Sequence, residues 1–373
     1  MQRDGDGVRR GRRWFCTGLL AQVALLGPLA ACGALPGPGA GAGAGARNGV
    51  GAGKAALLLP LTGANAAIGK NMAKAASLAV LGRDAAAQPP VFDTGDTAEG
   101  AAAAAVAALA RGARLLMGPL RADQTPAVLA VAGQVPVVTF SNDEKLADAG
   151  AFVMGVTPAQ SVSAMFSYAR AQGLSRIAVV AKPGALADAT EVAAARLAAL
   201  GGIDLVAVLR RDPDQAGLPA ALKAAGGGAP QAVFLPDGGA ALAGFAAGLA
   251  GSGVQLLGSV QWGVEDVATN PDLGGSWFAA PPPDLFLPFS DRFQAGFGDV
   301  PGIVAALGHD AALLAAGLGD AGALTRKGLT RAAGFTGVLG PFRFQPDGRC
   351  QRSLSVLAVE AGRIVALAEV AGT

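Results

Sequence analysis

Short apolar runs without a polar interruption recur through the chain, each followed by an alanine-rich stretch of helical length. In the first part the runs fall at 55–59, 91–92, 115–118 and 135–140, with helical stretches at 65–81, 99–111 and 124–132. A strand with one wet face alternates apolar and polar residues, whereas a continuous Val/Leu run marks a strand covered on both faces. Strand–helix–strand order then requires right-handed crossovers and a parallel sheet. After a helix at 161–172 the series repeats, with strands at 176–181, 203–210, 232–235 and 255–257 and helices at 187–200, 218–225 and 240–250. Both series open alike, as Leu59-Pro60-Leu61-Thr62-Gly63 and Val180-Ala181-Lys182-Pro183-Gly184. The expected fold class is α/β, with two doubly wound parallel-sheet lobes joined by a hinge.

The tail breaks the pattern. It holds helices near 288–297 and 304–318, the segment Phe342-Arg343-Phe344, a turn at Pro346-Asp347-Gly348, and strands at 354–360 and 364–369. The last two strands read as a hairpin across Ala361-Gly362. Residues 54–373 exceed what one core usually serves. A tail returning to both lobes makes a hinge of several crossings. The expected division is 54–158 with 281–336 as lobe 1, and 159–280 with 337–373 as lobe 2.

The first residues read as an export leader. Arg3, Arg9, Arg10, Arg12 and Arg13 precede an apolar run at 15–29 that ends in Leu29-Ala30-Ala31-Cys32-Gly33. That run is shorter than the roughly twenty residues a bilayer span needs, and small residues precede the cut. Leu29 to Gly33 resembles a bacterial lipobox, which implies removal of 1–31 and a lipid on Cys32. Arg12-Arg13-Trp14-Phe15 also resembles, less fully, a twin-arginine export signal. Residues 32–53 are almost wholly Gly, Ala and Pro, a tether spanning about 25 Å as a random coil. With Gly33 in place of the Asp that retains such proteins in the inner membrane, the resemblance implies the outer membrane.

Composition excludes several function classes. Of the 29 basic and 27 acidic residues, the leader takes five arginines and Asp4 and Asp6, leaving 24 against 25. Without a basic cluster, nucleic acid has no electrostatic footing. Beyond Cys16 and Cys32 only Cys350 remains, so no disulfide joins the body. His309, the single histidine, lies in an apolar helical stretch and reads as a packing residue. No Gly-x-Ser-x-Gly, His-Glu-x-x-His, Cys pair or phosphate loop is present, and Gly51-Ala52-Gly53-Lys54 lacks the following Ser/Thr. No catalytic residue, metal or cofactor is expected.

In open parallel sheets ligands bind beyond the carboxyl ends of the strands. Those ends supply the candidates. Backbone N–H groups after Thr62 and Gly63, at a helix start, suit a carboxylate, and Ser141 and Asn142 can hydrogen-bond it. Asp237 suits an ammonium group, and Trp262 an apolar or cationic one. The structural alternatives stay open: Thr62 and Ser141 as helix caps, Trp262 as packing.

The order of parts resembles type I periplasmic binding proteins of the leucine/isoleucine/valine-binding group. Residues 55–63 with Ile68-Gly69, then Asp93-Thr94-Gly95-Asp96, Leu116-Met117-Gly118-Pro119 and Val135-Pro136-Val137-Val138, carry the likeness. It implies a non-catalytic periplasmic protein that captures an amino acid or similar small polar solute for an ABC permease. Phe140-Ser141-Asn142-Asp143, Met154-Gly155-Val156-Thr157-Pro158 and Gly340-Pro341-Phe342-Arg343-Phe344 resemble the penicillin-binding protein activator subset, which implies contact with a peptidoglycan synthase instead. Two positions depart from the amino-acid binders. Arg121-Ala122-Asp123 stands where they carry a carboxylate-holding Ser, and Ala185-Leu186 where they carry Tyr-Gly; the only tyrosine, Tyr168, lies on a helix.

Overall fold

A computed structural model describes residues 54–83, 88–213, 217–225 and 227–372. The leader, the tether and Cys32 lie outside the described residues. Strands β1 (Lys54–Leu59), β2 (Val91–Asp93), β3 (Ala113–Met117), β4 (Val137–Thr139) and β5 (Phe152–Val153) form a parallel sheet in the order β2-β1-β3-β4-β5. Helices α1 (Ala66–Ala79), α2 (Ala98–Ala110) and α3 (Thr125–Ala132) connect its strands, with a short helix α4 (Lys145–Asp148) before β5. The uninterrupted runs are buried as expected: Ala56 to Leu59 and Leu115 to Met117 have no exposed surface. Gly118 is required where it stands, because its φ is 127° and a Cβ there would meet the Leu58 carbonyl oxygen at 2.2 Å.

The second sheet repeats the device. Helices α5 (Pro158–Ala171), α6 (Ala185–Ala199), α7 (Leu218–Ala224) and α8 (Gly239–Leu249) alternate with β6 (Arg176–Ala181), β7 (Asp204–Arg210), β8 (Ala232–Leu235) and β9 (Gln255–Gly258). Helix α9 (Val264–Thr269) then leads to β10 (Trp277–Ala280). The parallel order β7-β6-β8-β9-β10 matches the first sheet. Two late strands, β14 (Leu354–Glu360) and β15 (Arg363–Val370), extend it antiparallel beyond β10. Their hairpin turns at Ala361 and Gly362, both with positive φ (48° and 73°), the two-residue geometry that fits strand twist.

Helices α10 (Pro283–Phe297) and α11 (Ile303–Asp320) return to the first lobe. Helix α10 begins earlier than expected and runs through Pro288, which near a helix start removes only one intrahelical bond. Helix α11 is long and apolar enough to cross a membrane but is largely buried, packed along α1. A Cβ at Gly308 would meet the Met72 carbonyl oxygen at 2.3 Å, so the two helices touch backbone to backbone there. After a short helix α12 (Arg326–Leu329), strands β11 (Phe335–Gly337), β12 (Gly340–Phe344) and β13 (Cys350–Arg352) form a small antiparallel sheet.

That small sheet corrects one expected boundary. The expected lobe 2 includes residues 337–352. They bond instead to lobe 1: Val153 N to the Gly348 oxygen at 2.9 Å, Arg349 to Asp148 at 2.8 Å and Arg352 to the Met154 oxygen at 3.2 Å. The chain therefore crosses between lobes at 154–157, at 281–282 and at Ser353. A Cβ on Gly340 would touch Ser353 and Pro282, so the second and third crossings run side by side.

Candidate ligand site between the lobes

In the first lobe the loop after β1 is fastened by Asp93, at the end of β2. Asp93 Oδ1 accepts from the N–H groups of Leu61 (2.8 Å), Gly95 (2.9 Å) and Thr62 (3.2 Å), and Oδ2 accepts from the Thr62 hydroxyl at 2.7 Å. Burial raises the Asp93 pKa, but these hydrogen bonds outweigh it and hold the carboxyl below its ordinary range. Asp96, at φ 58°, accepts from Asn65 N (3.1 Å) and Asn65 Nδ2 (2.9 Å). Gly63, at φ 88°, leaves room for it: a Cβ there would meet the Asp96 Cβ at 2.6 Å.

The expectation that N–H groups at this helix start are offered to a ligand carboxylate is narrowed at Thr62 and Asn65, whose N–H groups are already engaged. The N–H groups of Leu61, Thr62 and Asn65 serve the chain's own acids. Asp96 stands at the N-cap of α1, where negative charge is favoured, so a ligand carboxylate there meets a like charge. Thr62 is not a helix cap either; its hydroxyl is committed to Asp93. Downstream, Arg121 and Asp123 pair with each other on the surface at 2.7 Å. Ser141 is buried and its hydroxyl accepts from Asp143 N at 3.1 Å, which makes it a turn former. Asn142 is exposed.

In the second lobe Asp237 is half-buried and accepts from Lys182 N at 2.9 Å. Burial raises its pKa, against the lowering effect of that bond and of the Lys182 charge. Trp262 overturns its assigned role as a ligand contact. It is 2% exposed, its indole N–H donates to the Leu235 oxygen at 2.9 Å, and its ring stacks on Phe278 at 5.8 Å. Gly258 makes the space for that ring. A buried indole with its one donor satisfied belongs to the core.

Both lobes line one crevice. Asn142, Val156 and Pro158 face Leu186, Thr190 and Val260, with Thr157, Ser161, Phe234, Pro236, Ser259 and Gln261 completing the wall. It is a narrow cleft with about 10 Å³ of room, enough for a single water molecule. The first crossing forms its floor. There Thr157 and Gln160 make a capping box for α5, with Gln160 N to Thr157 Oγ1 at 3.3 Å and Thr157 N to Gln160 Oε1 at 3.1 Å. Ser161 Oγ accepts from Val260 N at 3.3 Å, and Ser259 Oγ donates to the Pro236 oxygen at 2.6 Å. Thr190 is fully buried and its hydroxyl has no partner.

Of the six candidates only Asn142 lines this crevice, with Ser141, Asp237 and the inward-turned Trp262 next to lining residues in sequence. Thr157 was legible as a cap from Thr-Pro-Ala-Gln. Thr190 was legible too, as a polar residue on the stripe Ala187, Thr190, Ala194 that α6 buries. His309 packs as expected. It is 4% exposed, against Phe289, with Nδ1 3.3 Å from Asp310 Oδ1. Asp310 also accepts from Val338 N (2.7 Å) and Leu339 N (3.2 Å) and lies 3.8 Å from the buried Arg352 guanidinium. Burial pushes the Cys350 thiol up to about 11, which leaves it without thiolate reactivity near neutral pH. Among the described residues no group of acids, histidines or cysteines is arranged to hold a metal.

A profile of the family described as periplasmic binding protein matches residues 53–363. The chain belongs to that family. Its two sheets and hinge are the type I form of the fold. Similar solved structures include a protein from Rhodospirillum rubrum assigned to branched-chain amino acid ABC transport, 22% identical, covering 84% of this chain and 100% of that one at a TM-score of 0.74. A branched-chain amino acid ABC transporter periplasmic ligand-binding protein from Burkholderia xenovorans is 18% identical, covering 85% and 95% at 0.66. A solute-binding protein of an R. palustris ABC transporter, in complex with benzoate, is 19% identical, covering 86% and 96% at 0.60. At these identities the likeness carries the fold alone. No curated protein matches the chain by sequence.

Proposed function

We propose that the chain is a lipid-anchored periplasmic solute receptor, held to the outer membrane through Cys32, that delivers a small polar solute to an ABC permease without catalysis. The observation that supports this most directly is the crevice lined from both lobes at a hinge of three crossings. Two bodies that close on a small molecule need such a joint, and their closure is what a permease can read. Within the site we assign solute contact to Asn142 and Ser141 from the first lobe and to the Asp237 loop from the second. The relatives of similar fold are described as serving branched-chain amino acids in some cases and a benzoate in another.

The alternative partner, a peptidoglycan synthase, rested on segments including Gly340 to Phe344. Phe342 and Phe344 pack with Phe335 in the small sheet, so packing accounts for their pattern. The test is a thermal-shift screen of residues 50–373 against amino acids, aromatic acids, amides, polyols and muropeptides. A solute at about 1,000 times its Kd adds roughly 4 kcal/mol, a rise of roughly 8–16 °C at about 2–4 °C per kcal/mol. No shift with any of them, in a protein that melts cooperatively, sinks solute capture and leaves the synthase as the reading to pursue.

A further inference from the structure

The crevice has a chemical character that its family does not dictate. No ionisable side chain lines it among the described residues. Its wall combines apolar surface (Val156, Pro158, Leu186, Val260) with the carboxamides of Asn142 and Gln261 and with hydroxyls already engaged, at Thr157, Ser161 and Ser259. One hydroxyl differs. Thr190, on α6, is among the residues lining the crevice, and its Oγ1 is fully buried with no hydrogen-bond partner among the described residues. An unsatisfied buried hydroxyl is costly to leave unmade, so its persistence calls for a partner that comes from outside.

Resting on the receptor reading above, we infer that the solute is uncharged, with an amide or hydroxyl group that bonds Thr190 Oγ1 and a compact apolar body against Leu186 and Val260. Charge decides the class. A carboxylate or ammonium brought into this crevice loses its hydration and finds no opposite charge in the wall, whereas one hydroxyl meets the need of a neutral polar group. The space between the walls is narrow, so a solute of any size enters only as the lobes part at the hinge.

The experiment uses isosteric pairs that differ in charge: benzamide with benzoate, isovaleramide with isovalerate, and isoamyl alcohol with isoamylamine. Binding is read by thermal shift and calorimetry on the wild type, Thr190→Val and Thr190→Ser. The expected result is binding of at least one neutral member and not of its charged twin. Thr190→Val weakens it by roughly five- to tenfold, the loss of one neutral hydrogen bond, and Thr190→Ser retains it. Without solute, Thr190→Val melts no lower than the wild type, because a methyl replaces an orphaned hydroxyl. A drop in its solute-free melting temperature would show a structural partner for Thr190 and overturn the inference. Stronger binding of a charged member also overturns it, while leaving the receptor reading intact. If no member of any pair binds, the inference fails, and the wider screen decides the receptor reading separately.

Discussion

In the first lobe Asp93 gathers three backbone N–H groups and a hydroxyl, and Asp96 holds Asn65 twice over. In the second lobe Asp237 accepts the single N–H of Lys182. Both carboxylates fasten the loop after the lobe's first strand. In lobe 1 the fastening comes from the outer neighbour, β2, and in lobe 2 from the inner neighbour, β8. The first is an exposed, fully engaged anion; the second is half-buried and resists ionisation. The same contrast extends inward. Lobe 1 buries Asp310, Arg352 and His309 together, whereas the core beneath Trp262 in lobe 2 is apolar. A shared strand order leaves the means of securing the strand ends free to diverge.

The largest test of the contrast is Asp310→Ala. It strands the Arg352 charge in the interior and leaves the Val338 and Leu339 N–H groups without their acceptor. We expect a loss of about 3–5 kcal/mol in chemical denaturation. An unchanged midpoint would mean that the cluster does not hold lobe 1 together. A smaller effect is expected for Asp93→Ala, about 1–2 kcal/mol at neutral pH, because water reaches the freed N–H groups. Its pH dependence carries a sign. The folded pKa of Asp93 lies below the unfolded value near 4, so its contribution is present above about pH 4 and is lost as pH falls through the folded pKa. Asp93→Ala should therefore differ from the wild type at pH 7 and converge with it in acid.

Asp237→Asn gives the smallest effect and the opposite trend. Its folded pKa is raised, so ionisation costs the folded state stability as pH climbs above about 4. The amide keeps an oxygen for Lys182 N and removes that cost. We expect a change within about 0.5 kcal/mol at pH 7, with the variant gaining on the wild type from pH 4 upward. A variant that loses ground over that range would make Asp237 an ionised anchor like Asp93 and erase the difference between the lobes.

Much of the fold was legible because both sheets are covered on two faces, which turns each strand into a continuous apolar run. The hairpin at Ala361-Gly362 was legible from its turn residues. Strand β5 escaped because two residues make no pattern, and β10 because it runs into the three prolines at 281–283. The small sheet was misassigned since its alternation, buried Phe342 and Phe344 around exposed Arg343, fixes a strand but not its neighbours. The site was read less well. Position at a strand end is visible in sequence, but the direction of a side chain is not. Trp262 turned inward to satisfy its indole, and the loop N–H groups near Gly63 were claimed by acids some thirty residues away.

The capping box at the start of α5 also ties the helix to the first lobe. Thr157 bonds to Glu144 at 2.7 Å and Gln160 to the Cys350 oxygen at 2.6 Å, both in the first lobe, while the body of the helix lies against the second sheet. The helix is thus a lever whose fulcrum is its own first turn. Its 14 residues make an arm of about 21 Å, so a tilt of about 10° at the fulcrum carries its far end through about 4 Å. That end packs through Tyr168 on Trp277, at the edge of the second sheet remote from the crevice. A tilt of that size at the first turn therefore reaches the far end of the helix as a displacement of side-chain size.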